Sequence, residues 1–309
     1  MSPARTRLPA WLKKRLPPAA KTAPVSSLLE ELRLRTVCRE AHCPNMGECF
    51  ARGTATFMIL GHICTRACTF CAVRHGVPEP PDPKEPRRIA EAVRRLKLRH
   101  VVVTSVTRDD LPDGGSAQFA ATVRAVHRDT TATIEVLTPD FGGRPEDLDR
   151  VLDARPEVFN HNVETVPRLY GEVRPQADYA RSLGLLARAG EGSPRPVAKS
   201  GLMLGLGETE QEVRDVLGDL RRAGCCVVTL GQYLAPSAAH HPVAEFVRPE
   251  RFKELGALAL KMGFHAVASG PFVRSSYGAE TIAARVLPLR TCASGTDAGA
   301  AGCEGHGDG

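Results

Sequence analysis

Between residues 56 and 269 the chain alternates short apolar or β-branched runs with longer segments whose apolar residues recur at helical spacing. The runs fall at 56–60, 100–105, 133–138, 158–163, 197–204, 226–231 and 264–268, with helical patterns near 86–98, 116–128, 145–154, 175–190, 208–223 and 249–263. Several helices open on Pro and close on Gly, which suits a missing amide at the start and a left-handed turn at the end. Alternation of this kind predicts a parallel sheet returned by crossover helices. About six repeats suit a partial (β/α)6 barrel; a doubly wound sheet shares the alternation and differs in strand order, which the pattern does not carry. Upstream, residues 26–36 set Leu28, Leu29 and Leu32 at helical spacing behind a Ser N-cap. Downstream, residues 292–309 are rich in Gly and Ala without aliphatic anchors and predict a disordered tail in which Cys292 and Cys303 are spare thiols.

Composition narrows the class. At 309 residues, 42% hydrophobic and 25% charged, the chain suits one α/β barrel or two smaller domains. No apolar run approaches the ~18 residues of a membrane span, and no charged–apolar–small leader pattern opens the sequence. The expectation is therefore a cytoplasmic protein with no membrane partner. The net charge of +6 is uneven: Arg5, Arg7, Lys13, Lys14, Arg15 and Lys21 precede residue 25 with no acid among them, and the remainder balances. This is a basic arm on a neutral globule rather than a nucleic-acid-binding body. The Arg-rich, acid-poor start also resembles a transit peptide, although Pro9, Pro17 and Pro18 break an amphipathic helix there. The arm either steers a charged partner or packs on the body through Trp11 and its leucines.

Ten cysteines are too sparse for a disulfide scaffold, and six of them fall in two tight triplets, which favours metal in a reducing compartment. Cys64, Cys68 and Cys71 have the spacing Cys-x3-Cys-x2-Cys, with Phe70 directly before the last; Cys38, Cys43 and Cys49 have Cys-x4-Cys-x5-Cys. Structural zinc needs four ligands, and neither triplet has a fourth nearby; His42, adjacent to Cys43, is poorly placed to share one ion with it. Three thiolates can instead hold three irons of a [4Fe-4S] cluster and leave a fourth iron open. A zinc or disulfide loop remains the bland alternative. Polar residues gather where the strands end: Thr104 to Gly115 (including Ser105), Asn160-His161-Asn162-Val163-Glu164-Thr165, Lys199-Ser200-Gly201 and Gly231-Gln232. Barrel active sites lie at those ends. Gly114-Gly115 lacks the Lys-Ser/Thr of a triphosphate loop. Cys225 and Cys226 read as small buried residues on a strand, and His240-His241 as a loop with no cysteine near.

The first of these motifs, Cys64 to Cys71 with Phe70, resembles the radical S-adenosylmethionine superfamily. With Cys38, Cys43 and Cys49, the segment from Thr104 to Gly115, the Asn160 to Thr165 segment and Arg274-Ser275-Ser276-Tyr277 added, the likeness narrows to the lipoyl synthase family over roughly residues 8–290. That resemblance implies two [4Fe-4S] clusters and S-adenosylmethionine as cofactors. Cys64, Cys68 and Cys71 then hold the radical-generating cluster, while Cys38, Cys43, Cys49 and Ser275 hold an auxiliary one. Phe70, Ser105, Asn160, Asn162 and Glu164 are the candidate S-adenosylmethionine contacts. The implied reaction is radical insertion of sulfur at C6 and C8 of a protein-bound octanoyl-lysine, with the auxiliary cluster as sulfur donor. Implied partners are octanoylated lipoyl carrier domains (dehydrogenase E2 subunits, glycine cleavage H protein) and a low-potential donor such as ferredoxin or flavodoxin, with no nucleic acid.

The chemistry agrees with this in kind. An unactivated C–H bond lies beyond acid–base groups, so a cofactor must carry that step. A hard serine oxygen suits iron–sulfur ligation less well than thiolate, which makes one labile corner. The expected organisation is a basic arm and auxiliary-cluster extension over 1–52, a radical S-adenosylmethionine partial barrel over 53–270, a C-terminal arm over 271–291 and the tail over 292–309. Arg74-His75 and the tail past 290 depart from the usual pattern, and neither is expected to touch a ligand. Alternatives are another sulfur-inserting radical enzyme, such as a methylthiotransferase-like protein whose extra RNA-binding domain is not seen, or a non-catalytic iron–sulfur or zinc protein.

Overall fold

The structure is a computed structural model, described here for residues 8–15, 17–191 and 195–288. The expected tail over 292–309 lies outside the described residues. Helix α1 (Ala19–Glu31) comes first, then the edge strand β1 (Arg35–Thr36), the short helices α2 (Val37–Glu40) and α3 (Met46–Ala51), and β2 (Thr56–Ile59). A two-stranded ribbon, β3 (Ile63–Cys64) and β4 (Arg74–His75), follows. The repeats are then α4 (Glu85–Arg95), β5 (His100–Ser105), α5 (Ser116–Asp129), β6 (Thr133–Leu137), α6 (Pro145–Leu152) and β7 (Val158–Asn160). The second half runs α7 (Tyr170–Val173), α8 (Tyr179–Ala189), β8 (Val197–Leu204), α9 (Glu210–Arg222), β9 (Val227–Gln232), α10 (Pro249–Lys261) and β10 (Ala266–Gly270), and α11 (Ala279–Val286) ends the described chain.

The main sheet has the order β1-β2-β5-β6-β7-β8-β9-β10, parallel throughout except where β1 runs antiparallel to β2. Strands that follow one another in the chain are neighbours in the sheet. That order is the barrel-like one and excludes the doubly wound alternative, whose order reverses at a switch point. Among the described residues β10 does not pair with β1, so the barrel is partial, with six crossover helices and a seventh parallel strand.

Local chemistry sets the helix boundaries. Thr209 and Glu212 form a reciprocal capping box on α9, Asp178 caps α8 through the amide of Arg181, and Pro145 and Pro249 stand at the first positions of α6 and α10. The N-terminal helix departs from expectation: it begins at Ala19, behind Pro18, and not at a Ser cap near residue 26. Val25, Leu28 and Leu29 are buried, and packing that face draws the preceding residues into the helix despite Pro24 inside it. Cys225 and Cys226 stand just before β9 rather than on it, with Cys225 fully buried.

The N-terminal mouth of the sheet is closed by α11. Its Val286, with Ile282 beside it, packs against Val158, Val197, Val227 and Ala266, near the starts of β7 to β10. Glu280 accepts from Arg99 Nε at 2.6 Å just ahead of β5. With that end plugged by aliphatic side chains, the open end is the C-terminal one, where the chemistry-bearing loops converge.

Candidate active site

The triplet Cys64, Cys68 and Cys71 is folded by the ribbon that follows β2. Leu60 and Gly61 turn the chain at φ +67° and +94°, and Ile63–Cys64 pairs in parallel with Arg74–His75, placing His75 opposite Cys64. The departure at Arg74-His75 therefore lies beside Cys64, an expected ligand, after all. The loop is then fixed from several sides. Thr107 N donates to Cys64 Sγ at 3.3 Å. Arg66, buried, donates through Nε and Nη2 to Asp109 at 2.7 and 2.8 Å and through Nη2 to Asp140 at 2.7 Å. Thr69 N donates to Val173 O. His240 and His241, expected in a loop remote from cysteine, pack on this one: His241 N donates to Thr69 O, and His240 Nε2 lies 3.2 Å from Cys71 O.

Cys38 comes from α2, Cys43 follows His42 in a left-handed turn, and Cys49 lies on α3. The C-terminal arm is clasped to this extension. Asn45 Nδ2 donates to Phe272 O at 2.6 Å, Thr56 Oγ1 to Ser276 Oγ at 2.7 Å, and Tyr277 OH to Glu48 Oε1 at 2.8 Å. Lys14 of the basic arm completes the clasp, donating to Asn45 and Glu48 at 2.6 Å each and lying over the rings of Phe272 and Tyr277.

Both sets open on one cavity of about 530 Å³ at the C-terminal strand ends. Its wall includes Cys38, Cys43, Cys64, Cys68, Cys71, Phe70, Ser105, Asn162, Glu164 and Ser275. Cys49 is not in the wall but lies within electrostatic reach of Cys38 and Cys43. Asn160 is not in the wall. It is fully buried one layer deeper, donating to Glu135 Oε1 at 2.8 Å beside Lys199, so its assignment as an S-adenosylmethionine contact is corrected to a barrel-interior residue.

The thiols are crowded. Burial, together with the neighbouring thiols, raises Cys38 to about 11 and Cys49 to about 12, and the same causes raise Cys71 to about 12 and Cys68 in direction. Ionising three such thiols together requires a compensating cation, and soft sulfur donors suit iron or zinc. Among the described residues no three His, Cys, Asp or Glu side chains converge on a site for a single ion. A cubane cluster, whose ligands approach separate corners of a wider body, makes no such demand. Polar capacity is also left over: among the described residues, the buried Ser105 Oγ, Thr138 Oγ1 and Asn162 Oδ1 on the cavity wall have no hydrogen-bond partner. Such atoms are costly unless a ligand or water meets them.

Asn162 joins the two halves of the site. Its Nδ2 donates to Ser275 Oγ at 2.6 Å and to Glu164 Oε1 at 3.0 Å. Glu164, at φ +65°, has its carboxyl raised by burial, a rise that Arg174, Asn162 and Arg274 oppose. Gly201 makes room beneath: a Cβ there would stand 2.5 Å from Thr229 Oγ1, 2.9 Å from Asn162 Oδ1 and 3.1 Å from Ser275 Oγ. Sequence reasoning missed Arg66, Thr138, Asp140 and Arg174. For Arg66 a signal existed, since a charged residue between two cysteines of a tight triplet cannot easily be left unpaired.

The profile of the Radical SAM superfamily matches residues 58–220. Among curated relatives, the lipoyl synthase of Caldanaerobacter subterraneus subsp. tengcongensis is 57% identical over 274 residues, covering 89% of this chain and 96% of its own. That of Geobacter sulfurreducens is 58% identical, covering 88% and 90%. Among solved structures, methylornithine synthase superposes with a TM-score of 0.52 at 13% identity, over 80% of this chain and 81% of its own, a likeness of fold. No described helix is long and apolar enough to cross a membrane. With two cysteine triplets and a serine gathered at the open end of a six-unit partial barrel, and that identity along nearly the whole length of its relatives, the chain belongs to the lipoyl synthase family of the radical SAM superfamily.

Proposed function

We propose that this chain inserts sulfur at C6 and C8 of an octanoyl group held on a lysine of a lipoyl carrier protein, drawing electrons from a low-potential donor such as ferredoxin or flavodoxin. The observation that carries the reading is that thiols of both triplets and Ser275 share one cavity. A sulfur donor and a radical source must face the same substrate carbon, and holding them in one chamber replaces a chance encounter with a fixed geometry. A simple electron carrier needs no such chamber.

When bound, the two clusters and S-adenosylmethionine supply the one-electron chemistry that no side chain can. Cys64, Cys68 and Cys71 would hold the radical-generating cluster. Cys38, Cys43, Cys49 and Ser275 would hold the auxiliary one, with the hard Ser275 oxygen as its weakest ligand. The partnerless Ser105, Thr138 and Asn162 atoms offer hydrogen bonds to the polar groups of S-adenosylmethionine, with Phe70 and Glu164 beside them. Arg66, held between Asp109 and Asp140, stiffens the loop that carries the radical triplet. Val106, Leu202, Met203 and Leu234 line the same cavity and give an alkyl chain an apolar wall that excludes water.

Mass spectrometry of an octanoylated carrier domain incubated with the reconstituted enzyme, reductant and S-adenosylmethionine tests this. The expected product carries two added sulfur atoms. Formation of 5′-deoxyadenosine with no sulfur on the carrier would remove the proposal.

A further inference from the structure

The basic residues ahead of position 25 are not used by this chemistry, yet part of that arm is built into the fold. Lys14, Arg15 and Lys21 meet Arg52 around a surface groove of about 430 Å³. The one carboxylate in its wall, Glu48, is already engaged by Lys14 at 2.6 Å, Tyr277 at 2.8 Å and Arg52 at 2.9 Å. Arg15, Lys21 and Arg52 are exposed. Four cations against one occupied carboxylate leave the groove positive, on a chain whose remaining 25–309 portion has acids and bases in balance. A local field of that kind reaches over about a Debye length, ~8–10 Å at physiological salt, and steers oppositely charged partners.

The groove is also in the right place. Pro44 lines both the groove and the cavity that holds the thiols, and it directly follows Cys43. One face of the auxiliary loop therefore looks into the reaction chamber and the other forms the groove wall. A partner seated in the groove stands at the rim of the chamber.

We propose that this groove docks the carboxylate-rich face of the folded domain that bears the octanoyl-lysine arm, so that the arm passes over Pro44 into the cavity. The inference rests on the activity proposed above for the nature of the arm; the groove supplies the charge and position of the partner's contact face. Single-stranded nucleic acid fits less well, because the groove has no aromatic side chain on which a base could stack and the cations do not extend along a track.

The test reverses two cations and leaves the Lys14–Glu48 clasp intact, with Arg15→Glu and Lys21→Glu combined in the full-length reconstituted enzyme. Its substrates are an octanoylated lipoyl carrier domain and a short neutral octanoyl-lysine peptide. The KM for the domain is expected to rise roughly tenfold, with the peptide's kinetic constants within about twofold of wild type. Raising salt from ~50 to ~300 mM should raise the wild-type KM for the domain and leave that of the variant nearly flat. The milder Arg15→Gln/Lys21→Gln pair should fall between, which a folding defect caused by reversal would not produce. Unchanged carrier KM in both variants overturns the groove, as do equal losses on domain and peptide. So does binding of a single-stranded RNA oligomer that both variants abolish while carrier kinetics stay constant. If the wild type adds sulfur to neither the domain nor the peptide, the proposed activity fails instead. Fluorescence anisotropy with a labelled carrier domain then still reads the groove without turnover: a roughly tenfold weaker Kd in the reversed variant supports it, and an equal Kd overturns it.

Discussion

Asn162 Nδ2 stands 2.6 Å from Ser275 Oγ, linking the end of the barrel's fourth parallel strand to an arm 113 residues further along the chain. A Cβ at residue 201 would lie 2.5 Å from Thr229 Oγ1 and 2.9 Å from Asn162 Oδ1, which forces those side chains to shift, and 3.1 Å from Ser275 Oγ, which would have to give by a few tenths of an ångström. Gly201→Ala is therefore expected to displace Asn162 and Ser275, with an overpacking cost of about 1–3 kcal/mol. Thermal unfolding should show that cost, and sulfur insertion should fall more than S-adenosylmethionine cleavage. Equal falls in the two rates would mean that the crowding is felt by the barrel and not by this pair.

The two thiol sets sit on separate elements, one on the ribbon after β2 and one on α2, α3 and the turn between them. Their functions should therefore separate. Ala at Cys64, Cys68 or Cys71 is expected to abolish reductive cleavage of S-adenosylmethionine. Ala at Cys38, Cys43 or Cys49 should leave uncoupled cleavage while ending sulfur insertion, with iron content about halved in either series. Lipoyl product made without the auxiliary cysteines would contradict the assignment of that set.

Much of this site was legible because its signals are local. The seven strand-like runs and six helical patterns became seven parallel strands and their crossovers, since burial and helical periodicity are written into consecutive residues. Asn160 and Asn162 show where legibility stops. Both belong to one polar segment and are two residues apart, yet register places Asn160 opposite Leu137 and Lys199, down in the layer of Glu135, while Asn162 lies at the mouth. Depth along a strand is a property of the assembled sheet. The Cys71 to His240 contact, 169 residues apart, and the closure of the lower mouth by α11 are likewise set by tertiary packing that no local pattern encodes.

Among the described residues Lys199 is the one fully buried lysine, with Nζ 2.8 and 3.0 Å from the Glu135 oxygens. Burial alone would raise the Glu135 carboxyl, but the Lys199 charge, helped by His100, outweighs it and holds the group well below the usual carboxylate range. The sign follows: a folded-state pKa below the unfolded one contributes stability above the unfolded value of about 4.3–4.5, and that contribution drains away as pH falls toward the folded pKa. Lys199→Met should cost about 3–5 kcal/mol at neutral pH by stranding the carboxylate. Adding Glu135→Gln should recover part of that loss and flatten stability below pH ~4.5 relative to wild type. Urea melts at several pH values would read both effects; a single variant as stable as wild type would show that water already reaches Glu135.

Lys14 lies in the basic arm but makes its contacts inward. Its ammonium touches Asn45 and Glu48, on or just ahead of α3, and lies 4.7 Å from the Phe272 ring centroid and 5.4 Å from that of Tyr277, on the arm that carries Ser275. Burial tends to raise the Glu48 carboxyl, yet hydrogen bonds from Lys14 and then Tyr277 outweigh it and leave the group lowered. Lys14→Met keeps the length of the stem and removes the charge, so the arm should stay packed while its grip on the C-terminal segment weakens. The site is about a quarter exposed, and solvent screening limits the stability loss to about 1 kcal/mol. The larger effect should fall on function: looser placement of Ser275 against Cys38, Cys43 and Cys49 lowers the yield of lipoyl product per S-adenosylmethionine cleaved, with the cleavage rate itself unchanged. Lys14→Arg, which restores the charge and a planar donor set, should recover much of that coupling. If Lys14→Met couples as well as wild type, the clasp positions nothing and Lys14 is a surface charge like its neighbour Lys13.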